Sequence, residues 1–216
     1  GYTGASPALM GACAQRNIEL SFMSGNGRFL ARVSGEEKGN VTLRKTQYRI
    51  SEKKEESVKI AKNFILGKVY NARWVLERAA RDYSMRLDAE LLKKKSAFLG
   101  QSMNKIRECE DAGTLLGLEG EAASVYFSAF DELILQQKED FYFHGRNKRP
   151  PLDNVNAMLS FGYSLLAGMC GGALEAVGLD PYVGFFHTDR PGRMSLALDL
   201  MEEFRSVMVD RFVLTL

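Results

Sequence analysis

The chain has 216 residues, of which 45% are hydrophobic, and its 29 Lys and Arg against 27 Asp and Glu give a formal net charge of +2. This length supports one sizeable core or two small ones, and the near-balanced charge excludes nucleic-acid binding by global electrostatics, so any anionic partner must be held by a local patch. Cys13, Cys109 and Cys170 lie far apart without a Cys-x-x-Cys pair, which argues against a disulfide framework or a structural zinc site and favours a cytoplasmic location.

The first fifty residues predict a small β-rich domain. A Ser-Pro start followed by apolar residues at helical spacing predicts one short helix. The alternating runs in "IELSFMSGNGRFLARV" predict a β-hairpin whose turn contains Asn26 and Gly27, and residues 35–50 are expected to add extended structure. The charged stretch "SEKKEES" places a domain boundary near Ser51, so the N-terminal domain covers residues 1–50.

The rest of the chain, residues 51–216, predicts an all-helical domain. Its first helix has apolar residues at steps of three and four, as burial of one helix face requires. These residues are Val58, Ala61, Phe64, Ile65, Val69, Ala72, Leu76 and Ala79. Further helices are predicted over residues 89–108, 112–137, 154–177 and 195–216, separated by Gly or Pro. The expected fold class is α+β, a small N-terminal β-rich domain followed by an all-α, C-terminal domain.

The most apolar stretch of the chain covers residues 157–179. Ser, Gly and Glu interrupt it, whereas a bilayer-spanning helix needs about 20 mostly apolar residues. We therefore expect a core helix here and no contact with a membrane.

Glu119 lies on the apolar stripe of its predicted helix, whereas Glu121 points about 200° away from it. Removing a lone carboxylate from water costs several kcal/mol unless it is paired, protonated or bound to a metal. A core-facing Glu119 therefore needs a partner. An ion pair with Lys or Arg, or exposure at the helix end, is one interpretation, and a functional site is the other.

His187 follows the apolar "GFF" and precedes a Pro-Gly turn, a place where a hydrogen-bonded structural histidine is common. Asp199 and Glu202 share a face of the next predicted helix and are expected to be solvated. The core stripe of that helix is expected to be formed by Leu200, Met201, Phe204 and Val207. The alternative interpretation joins Glu119, His187, Glu202 and Asp199 into one site, because an imidazole and carboxylates suit Mn²⁺ or Mg²⁺.

A basic, aromatic segment, "FYFHGRNKRPPLDNVN", contains Arg146, Lys148 and Arg149 within four residues. Such a loop suits contact with a phosphate backbone, because each cation can neutralise about one phosphate. His144 in the same loop is expected to contact phosphate rather than metal. A solvated surface loop is the equal alternative.

Six segments together resemble the CRISPR-associated adaptation integrases, the Cas-one family. They are "GYTGASPALMGACAQ", "GNGRFLARV", "LLGLEGEAASVYF", "GRNKRPPLDNVNAMLSFGYSLL", "GFFHTDRPGRMSLALDLMEEFR" and "VDRFVLTL". The family's three separated active-site motifs, Glu in "LEG", His in "H-T" and the acids in "LDLMEE", occur in the expected order. The resemblance implies one Mn²⁺ or Mg²⁺ between Glu119, His187 and Glu202, and Asp199 as an active-site acid that either binds the metal or orients a water.

The resemblance also implies a function. It is a metal-dependent DNA endonuclease and integrase that inserts protospacer DNA at a CRISPR repeat in antiviral defence, by phosphoryl transfer, together with a partner of the Cas-two family. The N-terminal domain would form a homodimer and the C-terminal domain would hold the metal. Compared with the family, both domains are expected to be truncated, without the first strands and the C-terminal end.

Two other classes of function stay open. A non-catalytic, DNA-binding scaffold subunit of the adaptation complex would hold DNA by its basic loops without cleaving it. A helical structural protein would have no affinity for DNA.

Overall fold

The computed structural model describes residues 3–16, 18–25, 29–35 and 40–216. The regular elements are α1 (Pro7–Gln15), β1 (Leu20–Met23), β2 (Phe29–Val33), α2 (Val41–Ser51), α3 (Lys54–Asp82), α4 (Ala89–Glu108), α5 (Ala112–Phe127), α6 (Asn154–Ala176), α7 (Ser195–Phe204) and α8 (Arg211–Val213). A 3-10 turn covers Asp131–Leu133, and a π-helical turn, Arg205–Asp210, joins α7 to α8. The described chain is thus mostly helical with one small sheet, which agrees with the α+β class in its coarse form.

Polar side chains fix where several helices begin. Each accepts a hydrogen bond from the backbone N–H three residues later, a group that the first turn of a helix leaves unpaired. These capping residues are Ser6, Asn40, Asp88, Asp111 and Asp153. Such a cap typically contributes about 1 kcal/mol to helix stability. The predicted helix over residues 89–108 is confirmed with the same bounds, and the one over 154–177 ends one residue earlier.

The central element is α3, which packs against α4, α5 and α7. Its buried side follows the predicted stripe from Val58 to Leu76, although Phe64 and Ala79 are only partly buried. Since several helices share this one partner, side chains that face inward from α5 and α7 meet side chains of α3.

The extended structure predicted for residues 35–50 is wrong over residues 41–50, where α2 forms, and residues 36–39 lie outside the described residues. Asn40 caps this helix, and tertiary contacts outweigh the strand propensity of its β-branched and aromatic residues. The buried Gln47 amide donates to Asp180 O at 2.8 Å and Val183 O at 2.9 Å, and its oxygen accepts from Asp180 N. These bonds attach α2 to the chain segment that leads to His187.

The helix predicted over residues 112–137 is also too long, because α5 ends at Phe127. Beyond this end, the chain turns so that Phe130 is fully buried against the rings of Phe127 and Phe143. The Asp131 carboxylate stabilises the turn by accepting a hydrogen bond from Phe143 N at 2.8 Å. Burial of this aromatic cluster therefore ends α5 before the polar residues that the sequence prediction included in the helix.

The predicted hairpin is confirmed for its two strands, β1 and β2, which pair antiparallel from Leu20 opposite Val33. The predicted turn at Asn26 and Gly27 lies outside the described residues. Arg32 of β2 forms an ion pair with Glu175 of α6, which ties the hairpin to the helical part of the chain.

Among the described residues, α6 is long and apolar enough to cross a bilayer, with a mean hydropathy of 1.4 in its most apolar window. The expectation that Ser, Gly and Glu exclude such a helix by composition is therefore wrong. In this structure α6 packs against α7 and buries Leu159, Leu166 and Cys170, as a core helix does. Cys13, Cys109 and Cys170 are free thiols.

Candidate functional site

Two glutamates and one lysine meet where α3, α5 and α7 pack together. The Lys68 ammonium on α3 contacts Glu119 Oε1 on α5 and lies 2.7 Å from Glu202 Oε2 on α7. The three side chains are largely buried, with exposed fractions of 15%, 17% and 4%. Glu119 thus has the basic partner that one interpretation of its apolar stripe required. It also faces a second carboxylate, which a simple structural ion pair does not require.

Nearby positive charges keep the Glu202 carboxylate ionised. Burial raises the pKa of Glu202, but Lys68, Arg205 and His187 together lower it below its ordinary value. The Arg205 guanidinium lies 3.1 Å from Glu202 Oε1. Glu202 Oε2 is buried and within ion-pair distance of Lys68, yet it receives no hydrogen bond of acceptable geometry from the described residues.

His187 is held by Asp199, the first acid of α7. Asp199 Oδ1 lies 2.7 Å from His187 Nδ1 and accepts a hydrogen bond from His187 N at 2.8 Å. Asp199 Oδ2 accepts from Phe185 N at 2.7 Å and from Phe186 N at 2.9 Å. In the neutral imidazole tautomer whose Nδ1–H donates to Asp199, Nε2 is the nitrogen with a free lone pair. Asp199 therefore fixes both the loop and the tautomer.

The interpretation of Asp199 and Glu202 as acids on a solvated helix face is wrong, since they are 0% and 3% exposed. The predicted core stripe is confirmed for Met201, which is buried, and for Leu200, which packs against the core, but it is wrong for Phe204, which is 36% exposed. Both acids are buried because the loop N–H groups and the Lys68 and Arg205 cations replace water around them. The apolar pattern alone therefore misplaces the buried face of α7.

Arg146 of the basic loop is engaged within the protein. Its guanidinium donates to Asn156 Oδ1 at 2.7 Å and to Ser160 Oγ at 3.2 Å, and it lies 5.3 Å from the centre of the Tyr163 ring. Burial lowers the pKa of Arg146. These contacts give it a structural role beside any role toward phosphate.

Lys148, Arg149 and His144 are exposed in the same loop. The pKa of Lys148 is lowered, first by partial loss of water around its ammonium and then by the positive charge of Arg205, while Glu202 acts in the opposite direction. The loop is therefore within electrostatic range of the buried carboxylate.

An open cavity of about 600 Å³ lies beside the carboxylate pair. Its walls include Lys68, Glu119, His144, Arg146, Lys148 and Arg205. The structure thus brings Glu119 and part of the basic loop to one cavity, and Glu202 contacts two of its lining residues, Lys68 and Arg205.

A second polar cluster, which no sequence motif indicated, lies next to this site. Asp210 is fully buried and accepts hydrogen bonds from the hydroxyls of Tyr126, at 3.0 Å, and Tyr163, at 2.5 Å. The Tyr163 ring faces Arg205, whose guanidinium lies 4.8 Å from the ring centre. Through the Tyr163 ring, this cluster packs against the Arg205 guanidinium.

Lys68 was also not predicted as a site residue, although its position in the sequence contains a signal for it. It lies three residues after Ile65 and four before Ala72, on the buried stripe of α3. A charge on an apolar stripe is the same signal that identified Glu119. Lys68 and Glu119 are the two members of one ion pair.

Among the described residues, no group of three or more His, Cys, Asp or Glu side chains is close enough to hold a metal ion in this conformation. Lys68 lies between the two glutamates of the predicted set. The predicted metal-binding side chains are therefore neighbours, but they do not surround a common point in this conformation.

The fold and the site define a mostly helical protein with a small hairpin, in which acidic, imidazole and basic groups border an open cavity. The chain belongs to the family described as CRISPR associated protein Cas1, which matches residues 1–216. The resemblance found in the sequence motifs is thereby confirmed.

Individual relatives agree with this assignment. The chain is 46% identical over 216 residues to the CRISPR-associated endonuclease Cas1 1 of Chlorobaculum tepidum and 53% identical over 220 residues to Cas1 2 of Rhodospirillum rubrum. Both alignments cover 100% of this chain, which spans 63% of the length of each relative. A solved casposase bound to an integration product is similar, with a TM-score of 0.77, 30% identity and coverage of 98% of this chain and 57% of the casposase.

Proposed function

We propose that this chain contains the active site of a divalent-metal-dependent DNA endonuclease and integrase for CRISPR spacer acquisition. The pairing of Glu119 with Glu202 beside a basic cavity, in a chain of the Cas1 family, is the observation that carries this proposal. The endonuclease names of its relatives and the integration product held by the casposase support cleavage and joining of DNA.

The donor types present, two carboxylates and an imidazole, fit a divalent cation of the Mn²⁺ or Mg²⁺ type, although the described side chains do not converge in this conformation. Glu202 Oε2 is a buried acceptor without a hydrogen bond, Glu119 supplies a second carboxylate, and His187 offers Nε2. Oxygen donors with one imidazole are the ligands that such ions accept. When bound, the cation would polarise the scissile phosphate and stabilise the departing 3′ oxygen.

Each side chain then has one task in phosphoryl transfer. Glu119, His187 and Glu202 hold the cation, and Asp199 keeps the His187 imidazole in the tautomer that presents Nε2 outward. The four hydrogen bonds that fill both oxygens of Asp199 support a positioning role over direct ligation.

DNA would approach through the cavity. The exposure of Lys148, Arg149 and His144 supports contact with phosphates, and Arg146 would hold the loop in place through Asn156. Protospacer DNA and the CRISPR repeat would be the substrates.

The larger assembly follows from the family. Residues 1–50 would serve homodimer formation and residues 51–216 catalysis, with a Cas-two family protein as partner and the cytoplasm as location. No membrane is needed for this function.

The test is cleavage and strand transfer on branched DNA that carries a CRISPR repeat, with Mn²⁺, with Mg²⁺ and with a chelator. Glu119→Ala should abolish both reactions, because it removes one of the paired carboxylates, and should retain DNA binding. Glu121→Ala is the matched control, since this residue is exposed on the same helix. A scaffold would bind the DNA with every variant and cleave it with none.

A further inference from the structure

Lys68 bridges the two carboxylates in this structure. It comes from α3, whereas Glu119 and Glu202 come from α5 and α7. Its ammonium contacts an oxygen of each glutamate and is 15% exposed. The lysine therefore occupies the space between two groups proposed to bind a metal.

The carboxylate pair needs a positive charge at this place. Two carboxylates that approach the same buried point repel each other unless a cation lies between them. Arg205 contacts Glu202 Oε1, on the side away from Lys68, so Lys68 is the group that bridges the pair. A divalent cation between the same oxygens would reduce the repulsion between the carboxylates in the same way.

We propose that Lys68 is an exchangeable internal counter-ion: it holds the carboxylate pair when no metal is bound, and a divalent cation displaces its ammonium. This inference rests on the proposed function, because it assumes that Glu119 and Glu202 bind the metal. Both glutamates are thereby held against one point by the Lys68 ammonium, so the site is organised before the metal arrives.

The displaced ammonium has a place to go. Lys68 lines the open cavity of about 600 Å³ that also contains Arg146 and Lys148. A flexible four-carbon side chain can turn from the glutamates into this space. There its charge would add to the positive surface that faces DNA, so that metal loading strengthens DNA binding.

If Lys68 and the divalent cation compete for the two glutamates, removal of the lysine charge should weaken folding and strengthen metal binding. Lys68→Met keeps a side chain of similar length and removes the charge. Without metal, the variant should unfold at a lower temperature than wild type, because two buried carboxylates lose their cation. With saturating Mn²⁺, its unfolding temperature should return to the wild-type value.

Mn²⁺ affinity is the second measurement, made on the purified chain by titration followed by electron paramagnetic resonance of the free ion. Lys68→Met should bind Mn²⁺ about tenfold tighter than wild type, the gain expected when the two ion pairs that compete with the metal are removed. Lys68→Arg, which keeps the charge and folds with the pair intact, should bind no tighter than wild type.

Lys62→Met is the matched control on the same helix. The Lys62 ammonium donates to Arg107 O at 3.0 Å and Cys109 O at 2.8 Å, away from the glutamates. This variant should lose the same stability with and without Mn²⁺ and keep the wild-type Mn²⁺ affinity.

The outcomes separate this inference from the proposed function. If wild type binds Mn²⁺ and Lys68→Met binds it no tighter, or loses equal stability with and without the ion, Lys68 is only a structural residue and the inference is overturned. If neither wild type nor Lys68→Met binds Mn²⁺, the metal site itself is overturned, and the counter-ion role falls with it.

Discussion

Among single residues, Asp199 connects the backbone of the loop before α7 to the imidazole of His187. Asp199→Asn would replace one oxygen by an amide NH₂, which would face N–H donors where the carboxylate now accepts four hydrogen bonds. We expect metal affinity and DNA cleavage to fall about 10- to 100-fold, the usual effect of losing the partner of a metal-binding histidine. Mn²⁺ titration and cleavage assays measure both.

Asp189→Asn is the control for that substitution. Asp189 is exposed in the same loop and accepts one hydrogen bond, from Gly184 N at 3.1 Å. It should retain metal affinity and activity. Equal losses in both variants would mean that the loop, and not the imidazole, carries the effect of Asp199.

Asp210 makes the folding stability depend on pH. Burial raises the pKa of this carboxyl from 3.8 to about 6, against the lowering effect of the Tyr163 and Tyr126 hydroxyls. The folded state therefore binds the proton more tightly than the unfolded chain, so the contribution of this group to stability is greatest below about pH 4 and is lost as pH rises through about 6.

Asp210→Asn removes this dependence because an amide does not ionise. Relative to wild type, the variant should gain stability between pH 4 and pH 7, by up to about 3 kcal/mol. Urea unfolding of both proteins at pH 4 and pH 8 measures the difference between them, in which the contributions of the other titrating groups cancel. A stability difference that is the same at both pH values would contradict the assignment to Asp210.

Residue-level prediction from the sequence succeeded where a charge broke an apolar pattern. Glu119 stood out because the helix around it is apolar, and its need for a partner followed from the cost of burying a carboxylate. Asp199 could not be predicted in the same way, because its partners are backbone N–H groups of residues 185–187, which every sequence has. Only the tertiary fold brings them within reach.

At the scale of elements, the π-helical turn after α7 decides where Arg205 and Asp210 lie. It packs against α6, where a Cβ added at Gly162 would come within 2.6 Å of Val209 Cγ1. Because Val209 is β-branched and stiff, α6 and the turn would have to separate. Gly162→Ala should therefore lower the free energy of unfolding by about 1–3 kcal/mol, as overpacking does.

Gly168→Ala on the same helix is the matched comparison. No heavy atom of the described residues lies within 4 Å of its added Cβ, so the substitution should raise stability by about 0.5–1 kcal/mol through helix propensity. Urea unfolding measures both variants. Equal effects of the two would show that the contact of α6 with the turn does not limit packing.

Elements were predictable where local signals agree with packing. Asp88 and Asp153 cap helices whose apolar faces are also buried, and both helices were placed within one residue. For α2, the β-branched and aromatic residues favoured a strand, and the decisive contacts of Gln47 join segments more than 130 residues apart in the chain. A local pattern contains no information about such contacts.

In the whole molecule, residues distant in sequence converge on one cavity. The positively charged walls of this cavity are the surface that would bind DNA. The formal net charge is only +2, so salt-dependent DNA binding has to come from local cations such as Lys148 and Arg149. Arg146 differs from them because Asn156 and Ser160 already accept its hydrogen bonds.

The salt dependence of DNA binding therefore distinguishes the three basic residues. Lys148→Ala and Arg149→Ala should each reduce the slope of log affinity against log salt by about 1, since each removes one phosphate contact. Arg146→Ala should chiefly lower folding stability. Fluorescence anisotropy of labelled DNA across a salt series gives the slopes, with Lys94→Ala, an exposed position on α4, as the control that should leave the slope unchanged. If Lys148→Ala and Arg149→Ala behave like Lys94→Ala, the loop is a solvated surface, and DNA must reach the glutamates by another side of the cavity.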